Sequence, residues 1–74
     1  MNYTYRMRTD TIFDEEYRTH TVYGIEAFDL SNRKLEAVPD VLFEKNKMES
    51  FVTRCNAEKI SLLNLLNEIE DLIG

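Results

Sequence analysis

Apolar positions follow two rhythms along this chain, a period of two in its first half and a helical period in its second. From Ile60 to Gly74 (ISLLNLLNEIEDLIG), Leu62, Leu65, Leu66, Ile69, Leu72 and Ile73 fall at i, i+3, i+4, i+7, i+10 and i+11. That spacing draws one stripe down a helix, with Leu63 widening an edge and Asn64, Asn67, Glu68 and Asp71 opposite. Leu66 is expected at the centre of the buried face. Ser61 stands where an N-cap is wanted, and Ile60 can pack on Leu65 as a hydrophobic staple. Upstream, Met48, Phe51, Val52 and Cys55 hold the same spacing and predict a helix over 44–55, beginning between Phe43 and Asn46. Asn46 with Glu49 imitates a capping box, and Asn56 suits a left-handed residue at the helix end. Glu58 and Lys59 interrupt the stripe, so the pattern predicts two helices, 44–55 and 61–73, rather than one.

Residues 2–9 (NYTYRMRT) alternate strictly: Tyr3, Tyr5 and Met7 to one face, Asn2, Thr4, Arg6 and Arg8 to the other. This is the pattern of a half-buried strand. Asp14-Glu15-Glu16 marks a turn without the Asn-Gly or Asp-Gly of a tight hairpin. Residues 17–29 (YRTHTVYGIEAFD) are dense in β-formers and predict a long second strand. Tyr23, Ile25 and Ala27 are placed toward the helices, while Val22 and Phe28 stand on the outer side. Gly24 interrupts this strand, which signals a bulge or the close approach of another backbone. After the turn residues Ser31-Asn32-Arg33, Leu35, Ala37 and Val38 predict a short third strand over 34–38, stopped by Pro39. No internal repeat or linker is evident. The fold class expected is α+β: an antiparallel hairpin with a short third strand, packed on two C-terminal helices, in one domain over 1–74.

Composition narrows the function classes. Fourteen acidic residues against nine basic give a net charge of −5, spread over both halves. A duplex-DNA binder needs lysine and arginine to displace counterions, and an anionic membrane attracts the same residues, so nucleic acid and membrane surfaces are disfavoured as partners. No apolar run approaches a membrane span, the N-terminal residues do not read as a signal peptide, and a lone Cys55 suits a reducing cytoplasm. With one cysteine and one histidine, neither an internal disulfide nor a zinc site is expected, and no cofactor is implied. So small a chain has little core, and a partner subunit is the remaining support.

The order Tyr23-Gly24-Ile25, Pro39-Asp40-Val41, a short Met48/Phe51/Val52 helix and a Ser-capped Leu-rich helix ending Glu70-Asp71-Leu72-Ile73-Gly74 resembles a group of short bacterial proteins of the Firmicutes, a domain of unknown function. The resemblance covers residues 17–74. Members place Ser or Thr before the first helix, where this chain has Leu42-Phe43. It implies a hairpin-plus-helices fold and brings no activity or functional residue.

The candidate chemistry is sparse, and no catalytic or metal set can be assembled from it. His20 lacks an orienting partner and nucleophile in the sequence and reads as a surface histidine. Cys55 lies on the apolar stripe near a helix C-terminus, where a thiolate is disfavoured, and reads as core. Asp10, Asp14, Glu15 and Glu16 lack the ligand alternation and central glycine of a calcium loop. Tyrosines interleaved with Arg6, Arg8 and Arg18 suggest a platform for single-stranded nucleic acid, but alternation puts rings and guanidinium groups on opposite faces. The function expected is therefore a non-enzymatic protein–protein interaction module, with a nucleic-acid-associated regulator as the alternative. Val22, Phe28, Leu63, Glu68 and Asp71 are the candidate interaction residues. Val22 and Phe28 would meet water in a monomer, and the long second strand would leave an edge unpaired, so a homodimer is expected. Glu68 and Asp71, near a helix C-terminus, oppose its dipole, which a basic partner would relieve.

Overall fold

The structure, a computed structural model, describes residues 3–74. Asn2, expected as the first strand residue, lies outside them. Three strands, β1 (Tyr3–Phe13), β2 (Thr19–Asp29) and β3 (Lys34–Leu42), precede α1 (Lys45–Ala57) and α2 (Leu62–Ile73). The strands form one antiparallel sheet in the order β1-β2-β3. Both helices cover the same face, giving the α+β fold the patterning predicts. Tyr5, Ile25 and Ala27 from the sheet meet Met48, Phe51, Val52 and Cys55 of α1 and Leu65 and Ile69 of α2 in the core. α1 lies against β1 and β2, whereas α2 rests chiefly on β3. The hairpin outruns the helices: Thr11, Phe13, Thr19 and Thr21 share the helix-side parity yet are exposed, and the molecule is 43 Å long but only 19 Å thick.

Both turns of the sheet are built the same way. Asp14 N–H donates to Arg18 O and Tyr17 N–H to Asp14 O; Asp29 N–H donates to Arg33 O and Asn32 N–H to Asp29 O. Each closes through one left-handed residue, Tyr17 (φ 61°) or Asn32 (φ 64°), the arrangement of a type I turn with a following bulge. The carboxylate of each Asp accepts from two backbone N–H groups, Glu16 and Arg18 in one turn and Ser31 and Arg33 in the other. It also accepts from the arginine Nε, at 2.9 Å and 3.0 Å. An Asp-x-x-x-Arg repeat is thus present after all. Its aspartate supplies locally what an Asn-Gly pair supplies by backbone freedom.

These turns carry a pH dependence. Asp14 is held down to about 2, first by the bond with His20 Nε2 at 3.0 Å, then by the backbone and side chain of Arg18 and the N–H of Glu16. Asp29 is lowered too, chiefly by the Arg33 backbone N–H. A carboxylate with a depressed folded pKa contributes stability that is complete above its unfolded value of about 4 and fades as pH falls below that. The urea midpoint is therefore expected to drop between about pH 4 and pH 2, and Asp14→Asn to flatten that drop. An unchanged slope in the variant would exclude Asp14 as its source.

The element boundaries depart from expectation at several places: β2 begins at Thr19, since the turn takes Tyr17 and Arg18, and α1 runs on to Ala57. β1 runs on from Thr9 to Phe13, because the turn is confined to the Asp14–Arg18 bracket. β3 continues through Pro39 to Leu42. Tyr23 faces Leu42 and Ile25 faces Val38, so Pro39, Asp40 and Val41 all stand opposite Gly24. Proline is tolerated there because a bulge has no ladder bond for it to break, and Asp40 turns left-handed (φ 56°) to close it. A second irregularity between Ala27 and Phe28 shifts β3 so that Leu35 is exposed and Ala37 pairs with outer-face Glu26. The core residues of β3 are therefore Val38, Val41 and Leu42, not Leu35 and Ala37. α1 begins at Lys45 with Glu44 before it and no side-chain cap, so the Asn46/Glu49 box is not formed. The left-handed residue after α1 is Lys59 (φ 53°), with Ile60 N–H donating to Cys55 O and Lys59 N–H to Asn56 O, a Schellman ending. Ser61 does cap α2, accepting from Asn64 N–H at 3.3 Å.

Gly24 marks the close approach of a backbone, as its place in the strand suggests, but the bulge belongs to β3. β2 pairs with β1 without a break. An atom at the Gly24 Cβ position would lie 2.2 Å from Val38 O and 2.8 Å from Pro39 Cα. β3 therefore crosses the outer face at this point. Val22, on the same outer parity, has no exposed surface. Its placement as a solvent-facing interaction residue is corrected: Val22 is buried although it lies outside the helix-side core.

Candidate interaction surface

The face α2 presents follows from how narrowly it is seated. Leu65 and Ile69 are buried, and Leu62 and Leu72 are half-buried against the core, a seam at i, i+3, i+7 and i+10. That seam is narrower than the apolar stripe, so its other edge is left outside. Leu63 is 92% exposed, Leu66 59% and Ile73 57%. The expectation that Leu66 centres the buried face is corrected: the helix is rotated so that Leu65 does. With Glu70 between Leu66 and Ile73, the outer edge is an apolar line with an acidic residue in it, and the helix contains no lysine or arginine.

Glu68, expected as a free contact residue, is committed within the chain. Arg54 Nη1 donates to its Oε1 at 2.9 Å, bridging α1 to α2, while the same guanidinium lies 5.4 Å from the centre of the Phe51 ring. The pair links α1 to α2 across their exposed side. Asp71 and Leu63, by contrast, are exposed. Phe28 is half-buried, and the Arg6 guanidinium covers its ring at 4.4 Å.

The arginine face of β1 is likewise occupied. Arg6 donates to Asn32 Oδ1 at 2.7 Å, and Arg8 bonds Asp10 at 2.7 Å and 2.9 Å. Glu26, 3.8 Å from Arg8, takes Lys34 at 2.7 Å. Arg8 and Lys34 are thus paired with carboxylates and Arg6 is held by an amide and the Phe28 ring, rather than held out to phosphates.

The opposite side of the hairpin carries the tyrosines. Tyr3 and Tyr5 meet edge to face at 5.5 Å, and both hydroxyls donate to Ile60 O, at 3.2 Å and 2.6 Å. Tyr3 Oη also accepts from Leu62 N–H at 2.9 Å. The rings thus tie β1 to the loop between the helices. Burial, with Tyr3 adding to it, raises the pKa of Tyr5. Cys55 is fully buried beneath them, and burial pushes its thiol up to about 11. The small, partly open cleft beside it, lined by Tyr3, Tyr5, Asn56 and Lys59, is about 20 Å³, room for one water. His20 belongs to the far end of the hairpin, bonded to Asp14 with its ring 6.5 Å from that of Phe43. Histidine and thiol therefore do not meet. Among the described residues, no cluster of His, Cys, Asp and Glu is arranged to hold a metal ion, and no helix is long and apolar enough to cross a membrane.

A feature that sequence reasoning did not find lies at the edge of the sheet. Asn56, inside α1 rather than at its left-handed end, brackets Tyr5: Tyr5 N–H donates to Asn56 Oδ1 at 2.8 Å, and Asn56 Nδ2 donates to Tyr5 O at 2.9 Å. Its amide takes the place of a neighbouring strand for one residue. No family model matches the chain, and no curated protein or solved structure matches it.

Proposed function

We propose that the protein is a protein–protein interaction module whose docking surface is the outer edge of α2 and whose partner is a basic amphipathic helix. One observation carries this reading: Leu63, Leu66 and Ile73 form an exposed apolar line on a helix whose charged residues are all acidic. Apolar lines of this kind on a small domain mark contact surfaces. The acidic residues of the last turn oppose the helix dipole, and a cationic partner offsets that cost. A second copy of α2 would bring Glu70 and Asp71 against their own kind, so the surface favours a partner of opposite charge. Of the residues expected from the sequence, Leu63 belongs to it, while Asp71 is exposed on the polar side of the same helix. The nucleic-acid alternative is the weaker reading, since Arg6 and Arg8 are engaged within the sheet.

The test is titration with two synthetic amphipathic helices, one of leucine and lysine, the other of leucine and glutamate, followed by methyl NMR. The basic peptide is expected to bind at ~100 μM or tighter and to shift Leu63, Leu66 and Ile73, with the acidic one silent. Leu63→Ser with Leu66→Ser should abolish the shifts while the protein stays folded, with the melting temperature lowered by no more than roughly ten degrees. Equal binding of both peptides, or of neither, would overturn the proposal.

A further inference from the structure

The free edge of β1 offers a second and independent surface. Because Tyr5 N–H and C=O both reach Asn56, they point away from β2, and backbone groups alternate sides along a strand. Met7, Thr9, Thr11 and Phe13 therefore turn their N–H and C=O groups outward as well. The closure of the hairpin at Asp14 N–H to Arg18 O fixes the same parity from the other end. Among the described residues, no side chain bonds these outward groups. The bases foreseen for self-association in the sequence do not survive: β2 has both edges paired, and Val22 is buried. The unpaired edge is that of β1.

We infer that β1 pairs antiparallel with β1 of a second copy across a two-fold axis at Thr9, joining two three-stranded sheets into one. Outward groups lie on odd residues, so a new ladder must pair odd with odd, and only a few registers satisfy that. With the axis at Thr9, Met7 pairs with Thr11 of the second copy, and Arg8 stands directly opposite the second copy's Asp10. Both of those charged positions fall in non-hydrogen-bonded pairs, where cross-strand side chains are closest. Moving the axis to Arg8 opposes arginine to arginine, and moving it to Asp10 opposes aspartate to aspartate. An axis at Met7 runs the ladder into Asn56. An axis at Thr11 sets Arg8 against the second copy's Asp14, whose carboxylate is already filled by its own turn and His20, and leaves Asp10 facing Ile12. The Thr9 register alone unites Arg8 and Asp10 across the seam, and Asn56 ends the ladder on both sides at Tyr5. A two-fold normal to the sheet keeps both helical layers on one face, away from the charged pairs.

Thr9→Pro tests the backbone directly. The Thr9 N–H faces outward, so its loss removes no bond between β1 and β2. Size exclusion with light scattering at ~100 μM is expected to give a dimer for the wild type and a monomer for Thr9→Pro, with an unchanged far-ultraviolet circular dichroism spectrum. Arg8→Asp should also give a monomer, and Arg8→Asp combined with Asp10→Arg should restore the dimer. That charge series keeps the test decisive if the proline variant does not fold. A wild-type monomer, a dimer that persists in folded Thr9→Pro, or a dimer indifferent to Arg8→Asp would overturn the inference. Leu63→Ser with Leu66→Ser should leave the dimer intact, which separates this edge from the α2 surface.

Discussion

Leu65→Ala is expected to destabilise the fold by about 2–5 kcal/mol, while Leu66→Ala, its neighbour on the same stripe, should change it by less than about 1 kcal/mol. The two residues differ by one position and by their place in the seam: Leu65 is 2% exposed and Leu66 59%. Truncating Leu65 removes buried methyl groups and opens a cavity against a core already small, where the surroundings can only partly collapse. Truncating Leu66 removes surface that water already reaches. Urea denaturation of the two variants checks the contrast, and comparable losses would mean that α2 is seated on a different face. Within the core of a domain this size, the Leu65 loss is a large share of the total stability.

Gly24→Ala is the second large effect. The added methyl carbon would stand 2.2 Å from a carbonyl oxygen and 2.8 Å from a Cα, both main-chain atoms of β3. No side-chain rotation relieves such a contact, so either the bulge lifts off the outer face or β2 bends. The expected loss is about 1–3 kcal/mol or more by the usual measure of overpacking. The glycine is not needed for its backbone angles, since its φ is not positive. A substitution without effect in thermal or urea unfolding would show that β3 can give way without loss.

The contrast between these residues shows what periodicity can and cannot convey. The stripes of α1 and α2, the Ser61 cap and the alternation of β1 were readable because each arises within one element. The rotation of α2 about its axis was not, because the stripe holds more apolar residues than the seam can take. Which of them are buried is decided by where β3 and the core lie against the helix. The phase of β3 was hidden for a similar reason. Leu35 and Ala37 look like an inward pair until the bulges opposite Gly24 and beside Phe28 shift the register, and Pro39 then sits inside the strand instead of ending it. Of the residues expected at the interaction surface, Leu63 and Asp71 stayed accessible because nothing packs on their side of α2. Val22 and Glu68 were claimed by tertiary partners that a single-element pattern cannot show. The Asp-x-x-x-Arg turns were visible in the sequence as two aspartates each followed by arginine at i+4. Their meaning depends on a left-handed third residue after the aspartate, which Tyr17 does not advertise.

The Asn56 bracket gives the molecule a built-in gauge of helix docking. Most amides of a sheet become labile to deuterium only when strands part. The Tyr5 amide is held by a side chain of α1, so it opens to solvent whenever that helix swings away, even while β1 and β2 stay zipped. Its exchange rate, set against that of Arg6 on the paired side, would separate undocking of the helical layer from opening of the sheet. A single residue thus reports how far the two layers of the fold come apart as one unit.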